Sequence, residues 1–265
     1  MKDLEIPFEK DRKGHYRFFE ILPGAISWLL LFMPLILSFI SITVAVVFIL
    51  AYLLIYFIRS LGYDVRAISG YITMRKHMKI DWDVLLEDLN RGEVPVSAKR
   101  PSWHIANMER RYSFERIYMP EEIVHAVILA TVNESRAVLE PTIESIINST
   151  FDSHKLILVI AYEGRSGEAT EERVNSLIKQ YSSKFRAALA FKHPPNMRGE
   201  IIGKGGNISY AGRELEKYIK AQNIPPDRVL VTTLDSDSRP DKKYFSALTY
   251  LFCIVPKPLR ASYRK

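Results

Sequence analysis

The sequence predicts an α/β domain with a mostly parallel sheet, preceded by an N-terminal transmembrane helical hairpin. Residues 21–58 contain no Asp, Glu, Lys, Arg or His, and from residue 122 onwards apolar runs alternate with segments of helical spacing. Such alternation is typical of βαβ units whose helices cover a parallel sheet. We therefore divide the chain into an N-terminal segment (1–20), two transmembrane helices (21–59), an amphipathic connecting region (60–120) and an α/β domain (121–265).

The uncharged segment is too long for one straight membrane span. As a single helix it would extend roughly 57 Å, whereas the hydrocarbon core of a bilayer is about 30 Å thick. Two short spans, at residues 23–39 and 42–58, fit this thickness better. The alternative is one long tilted or kinked span, which would place the α/β domain on the other side of the membrane.

Basic residues flank the uncharged segment on both sides. They are Lys10, Arg12, Lys13 and Arg17 before it, and Arg59, Arg66, Arg75 and Lys76 after it. Because Lys and Arg collect on cytoplasmic flanks, we expect a multi-pass protein of the cell membrane whose two ends and α/β domain are cytoplasmic.

The connecting region has mixed charge and predicts two helices. Residues 65–79 are expected to form a basic helix on the membrane surface, and residues 81–90 a short helix with Asp81 as its N-cap. The chain carries a net charge of +7, but no motif of a nucleic-acid-binding fold appears. We therefore expect membrane lipid rather than nucleic acid as a partner. The single cysteine, Cys253, excludes a disulfide framework and a cysteine zinc site.

The α/β domain shows four apolar runs that predict strands. These runs cover residues 124–131, 155–161, 186–192 and 228–234, with helices expected at 138–148, 171–182, 208–222 and 240–252. Ligands of parallel sheets bind at the carboxyl ends of the strands. The residues that follow each run are therefore the candidates for a functional site.

Two acidic residues follow the fourth run. Asp235 and Asp237 are two positions apart, so in an extended chain their side chains face the same way. Two such carboxylates suit Mg²⁺ or Mn²⁺, with diphosphate oxygens completing the coordination. They are our candidate catalytic and metal-binding residues. Spacing alone also fits an ordinary acidic surface turn.

Polar residues follow the other three runs as well. Thr131, Asn133 and Glu134 follow the first and Glu163 follows the second, where polar side chains can hold a nucleoside. After the third run, the glycine-rich segment 203–207 leads into a helix.

In that glycine-rich segment, Lys204 and Gly205 are candidates for contacting phosphate, because backbone N–H groups and a helix start attract anions. The segment is not a Walker A loop, because Lys204 is followed by Gly. For the segments after the first two runs the alternative is an ordinary loop with a helix cap, and for the glycine-rich segment it is a flexible turn.

Taken in order, residues 128–134, 159–163, 203–207 and 234–237 resemble the family 2 glycosyltransferases of the GT-A fold. The resemblance extends over residues 123–259, about half the chain. It implies a partial GT-A sheet, the Rossmann-like fold of nucleotide-diphospho-sugar transferases. It further implies nucleotide-sugar contacts by the residues after the first three runs and an Asp-x-Asp motif in which Asp237 is the direct metal ligand. Val132 replaces the usual Tyr of the family, and Glu163 its usual Asp.

The reaction implied by the resemblance is metal-dependent transfer of a sugar from a nucleotide-diphospho-sugar, of UDP type, to a polysaccharide or glycolipid acceptor. The family's later Glu-Asp and Gln-x-x-Arg-Trp motifs do not follow Asp237. We therefore expect a fragment that ends before its acceptor half and binds donor weakly or folds poorly alone. The alternatives are a membrane-anchored nucleotidyltransferase and a non-catalytic relic that binds a partner.

Overall fold

The structure is a computed structural model that describes residues 13–195, 197 and 203–261. The chain divides into two compact units, Met1–Lys79 and Ile80–Lys265. Of the basic residues predicted to precede the membrane segment, Lys10 and Arg12 lie outside the described residues.

The first unit contains two long helices, α1 (His15–Ile40) and α2 (Ile42–His77). Ser41 separates them with an extended backbone, at φ −162° and ψ 125°. Both helices are long and apolar enough to cross a membrane, by length and composition. Among the described residues of this unit only Ala45 is buried, whereas the apolar side chains of a helix in a soluble core would be covered. The prediction of two apolar helices near the N-terminus is confirmed.

Helix α2 extends further than expected. Residues 65–79 were predicted to form a separate helix on the membrane surface, but α2 continues without a break to His77 over 36 residues, about 54 Å of helix. The predicted boundary relied on the change from apolar to basic residues. That change alters which surroundings the side chains prefer, but residues 59–77 include no Pro that would stop the helix.

The second unit is an α/β fold. Two helices, α3 (Trp82–Arg91) and α4 (Ser102–Arg111), come first. The strands are β1 (Val124–Thr131), β2 (Leu156–Glu163), β3 (Ala187–His193) and β4 (Val229–Asp235), and the remaining helices are α5 (Arg136–Ile147), α6 (Glu168–Tyr181), α7 (Lys204–Ala221) and α8 (Tyr244–Cys253). All strand pairs are parallel, in the order β3-β2-β1-β4. The predicted four-stranded parallel sheet is confirmed.

Both faces of the sheet are covered, which explains the continuous apolar runs. All eight residues of β1 and all eight of β2 are buried. In β1, Val127 and Leu129 belong to the cluster that includes α3, α5, α6 and α8, whereas Ala126 and Ile128 belong to the cluster with α7. A strand buried on both faces cannot alternate between apolar and polar residues.

Part of the connecting region belongs to the α/β unit. The buried carboxylate of Asp88 on α3 accepts hydrogen bonds from Arg100 at 2.5 and 3.2 Å and lies 3.2 Å from Nε2 of His104 on α4. The other ring nitrogen of His104 lies 2.8 Å from the hydroxyl of Tyr250 on α8. Helix α4 was not predicted, because Pro101 was interpreted as a break. Pro101 occupies the N-cap position of α4, where its missing backbone N–H removes no intrahelical hydrogen bond.

Candidate functional site

The carboxyl edge of the sheet brings together residues from three strands. Thr131, Glu163 and Asp235 are the last residues of β1, β2 and β4. These strands are adjacent in the sheet, and Asp235 pairs in register with Ala130. The expectation that these predicted residues share one edge is therefore met by the topology.

Helix α7 begins over this edge and is tied to it by Asn207. The buried side-chain amide of Asn207 donates to the carbonyl of Ala161 at 3.0 Å and to that of Thr131 at 3.4 Å. The first turn of α7 thus bridges the ends of β1 and β2. Gly203 precedes the helix with φ 153°, a conformation that favours glycine.

Lys204, the first residue of α7, makes an ion pair with Asp235 at the end of β4. Its ammonium contacts Oδ1 of the aspartate, and the side chains are 48% and 63% exposed. A predicted phosphate-contacting cation and a predicted metal-binding carboxylate therefore meet at the same edge. Gly205 follows and is exposed.

The segment with the two aspartates is a turn, which corrects the premise of an extended chain. The backbone N–H of Ser238 donates to the carbonyl of Asp235 at 3.0 Å. The hydroxyl of Thr142 on α5 donates to the carbonyl of Ser236 at 2.7 Å and holds the turn from outside. Asp237 is exposed in this turn. Its relation to Asp235 is therefore set by the turn and not by strand alternation.

The helix that follows begins later than predicted. The sequence predicted a helix from residue 240, but α8 begins at Tyr244. Asp241 instead forms a turn, because its carboxylate accepts from the backbone N–H of Lys243 at 3.0 Å and its carbonyl accepts from that of Tyr244 at 2.9 Å.

The acidic turn supplies too few ligands to hold a hard divalent cation without a bound phosphate or water. Within the described ranges, no group of three or more His, Cys, Asp or Glu side chains is placed to hold a metal. Asp235 and Asp237 offer carboxylate oxygens, which suit Mg²⁺ or Mn²⁺, but these ions take about six or more ligands. Phosphate oxygens and water would have to complete the coordination.

Glu134 holds the loop after β1. Its Oε2 accepts hydrogen bonds from the hydroxyl of Thr131 at 2.5 Å, from the backbone N–H of Val132 at 2.7 Å and from that of Asn133 at 3.1 Å. Burial raises the pKa of Glu134, but these bonds outweigh burial and leave its pKa below the usual value. The Asn133 side-chain oxygen accepts from Thr170 on α6 at 3.3 Å. The predicted nucleotide-contacting loop is thus pre-formed.

Glu163 is a buried carboxylate with one oxygen unused. Its side chain is 5% exposed, and its Oε2 contacts Nε of Arg165. Its Oε1 is buried and has no hydrogen-bond partner among the described residues. Leaving a buried acceptor unpaired costs free energy, so the site suits a ligand that donates a hydrogen bond. Gly164 beside it leaves little room for a side chain, because a Cβ there would lie 3.0 Å from the carbonyl oxygen of His193.

Sequence reasoning missed two residues of this site. Arg165 gave no signal beyond being a basic residue two positions after Glu163. Asn207 did give one, because it stands four residues before Ala211 in the row that continues with Leu215 and Ile219, the buried face of α7. A polar residue in the buried row of a helix needs a partner, which here is the edge of the sheet.

Comparisons with known proteins do not assign the chain to a family. No protein-family model matches it, and a search of the curated proteins gives no match. The functional assignment therefore depends on the residues and geometry described above.

Proposed function

We propose that this protein is a membrane-anchored, metal-dependent glycosyltransferase of family 2 with a GT-A fold, and that its α/β unit binds a nucleotide-diphospho-sugar. The observation that carries the proposal is the contact between Lys204 and Asp235 at the carboxyl edge of the sheet. In support of it, an ammonium suited to phosphate and a carboxylate suited to a metal are in contact. The buried carboxylate of Glu163, with its unpaired Oε1, ends β2 at the same edge of the sheet.

The nucleoside part of the donor would lie at the ends of β1 and β2. The unpaired Oε1 of Glu163 would accept a hydrogen bond from a ribose hydroxyl or a base N–H. The loop of Thr131, Asn133 and Glu134 would form the adjoining wall, and its internal hydrogen bonds hold it in place before a ligand arrives.

The diphosphate would lie over the start of α7. Lys204 and the backbone N–H of Gly205 would bind its oxygens, where the helix dipole adds positive potential. A divalent cation bound by Asp235 and Asp237 would stabilise the negative charge that builds on the leaving diphosphate. UDP is the nucleotide we propose, and the acceptor is a glycan or a lipid.

The two long helices would anchor this unit in the cell membrane. We propose that α1 and α2 both cross the bilayer, because Lys and Arg flank the uncharged segment on both sides. Under this arrangement the α/β unit lies in the cytoplasm, and the acceptor would be reached at the cytoplasmic face of the membrane. About 24 Å of α2 would extend beyond a hydrocarbon core of about 30 Å.

Two measurements test the proposal with the full chain in lipid nanodiscs. The first is metal-dependent binding of UDP, and the second identifies the product that is released from a sugar donor. Calorimetry with UDP and Mn²⁺ should show binding that Asp237→Asn abolishes. Asp227→Asn is the matched control, since Asp227 precedes β4 at the opposite edge of the sheet and pairs with Arg116. With a panel of UDP-sugars and membrane extract, released nucleoside diphosphate supports glycosyl transfer.

Two other results would each replace the proposal. Released pyrophosphate would indicate a nucleotidyltransferase, in which the same two carboxylates would act on a nucleoside triphosphate. Absence of metal-dependent nucleotide binding in the wild-type chain would indicate a non-catalytic module.

A further inference from the structure

The ion pair between Lys204 and Asp235 joins two groups whose proposed ligands have opposite charges. In the proposed function, Asp235 holds a divalent cation and Lys204 holds the diphosphate. In the structure each neutralises the other, and no other ion pair of Lys204 or Asp235 occurs among the described residues. Neither group can bind its proposed ligand fully while this pair persists.

We infer that Lys204 occupies the cation position of Asp235 in the free protein and moves to the diphosphate when a divalent cation replaces it. The inference rests on the proposed function and adds the order and coupling of its ligands. Lys204 then serves as an internal cation that a metal can replace. Because the metal releases Lys204 for the diphosphate, the metal and the diphosphate each bind better when the other is present.

The geometry allows this exchange. Both side chains are about half exposed or more, and exposed ion pairs of this kind are weak, so a doubly charged cation can displace the ammonium. The lysine ammonium sits on a flexible four-carbon stem. The backbone of Lys204, in contrast, is fixed, because Asn207 anchors the same turn of α7 to β1 and β2. The side chain can change partners without movement of the helix.

The exchange has a thermodynamic consequence that can be measured. Without Lys204, a metal no longer competes with an internal cation, so the metal alone should bind more tightly. A diphosphate, however, loses a charge-assisted contact and should bind less tightly. The two affinities therefore move in opposite directions in the same variant, which general loss of structure cannot produce. Coupling between two sites is reciprocal, so both measurements report the same exchange.

The experiment uses the full chain in nanodiscs and compares wild type with Lys204→Gln and Lys204→Arg. Mn²⁺ alone is titrated by the electron paramagnetic resonance signal of free Mn²⁺, and UDP is titrated by calorimetry at saturating Mn²⁺. Lys217→Gln is the matched control, because Lys217 lies on the same helix about 20 Å further along and forms a comparable exposed pair with Glu214 at 2.7 Å.

For Lys204→Gln we expect Mn²⁺ alone to bind about two- to fivefold more tightly and UDP with Mn²⁺ about tenfold more weakly. Lys204→Arg, which keeps the charge, should restore the weaker Mn²⁺ binding, and Lys217→Gln should match wild type. Unchanged or weaker Mn²⁺ binding in Lys204→Gln would overturn the inference while leaving the proposed function intact. Absence of Mn²⁺-dependent UDP binding in wild type would overturn both.

Discussion

Replacing Asn207 by Asp should destabilise the protein in a strongly pH-dependent way. The side-chain nitrogen of Asn207 faces two carbonyl oxygens, at 3.0 and 3.4 Å, in a position that is 1% exposed. An aspartate of the same shape would direct a carboxylate at those oxygens, so the folded state can accept it only in the protonated form. Protonating a carboxyl of pKa about 3.9 at pH 7 costs roughly 4 kcal/mol, at about 1.4 kcal/mol per pH unit.

The sign of the pH dependence follows because folding raises the pKa of the carboxyl that Asn207→Asp introduces. Above about pH 4 the unfolded chain releases the proton that the folded variant keeps, so the free energy of unfolding falls as pH rises. Relative to wild type, the decrease in the free energy of unfolding should grow from a small value near pH 4 to about 4 kcal/mol at pH 7. Urea unfolding in detergent micelles, followed by tryptophan fluorescence between pH 4.5 and 7.5, measures it.

A control separates this effect from a general cost of the substitution. Asn148, at the end of α5, is exposed, so Asn148→Asp should change the free energy of unfolding by well under about 1 kcal/mol at every pH. A loss for Asn207→Asp that does not vary with pH would show that the side chain is not held against the sheet edge, and would refute the anchoring of α7.

Three other substitutions test contacts within the α/β unit. Asp88→Asn removes the buried carboxylate that Arg100 contacts and should cost about 3 kcal/mol; an unchanged unfolding midpoint would contradict this. Burial lowers the pKa of His125 to about 3, so its contribution to stability is complete above about pH 6.5 and is lost as pH falls towards 3. His125→Gln should therefore flatten the acid limb of the stability curve, and equal slopes in both proteins would refute it. Glu134→Ala leaves three donors of the β1–α5 loop unpaired and should cost roughly 2 kcal/mol, whereas Glu134→Gln, which retains an acceptor oxygen, should cost less.

The sheet was predictable from sequence because its central strands are buried on both faces. In β1 and β2 every residue is buried, so each strand is a continuous apolar run that no surface helix would show. The edge strand β4 is half exposed, with Val231 53% exposed and Thr233 exposed beside it. It was still recognisable because Val and Thr, which are enriched in strands, make up four of its seven residues.

The details of the site were less predictable because they depend on contacts between distant segments. Two-residue spacing places Asp235 and Asp237 on one side only in extended chain, and the backbone turns there with support from Thr142, 94 residues earlier than Ser236. The pairing of Lys204 with Asp235 likewise depends on the order of strands in the sheet. Local sequence patterns do not fix which strand lies next to which, and general rules of connection only reduce the number of possible orders.

Asn207 and Lys204 show how one helix can be both rigid and adaptable at a site. The buried amide of Asn207 fixes the position of the first turn of α7 against two strands. Lys204, in the same first turn, is half exposed and pairs with the exposed carboxylate of Asp235. A phosphate arriving at this helix start would meet backbone N–H groups already in place and a lysine free to turn. A backbone that is already in place lowers the entropic cost of ordering the site when a ligand binds. Asn207 should therefore matter for the stability of the protein, and Lys204 for its affinity for the ligand.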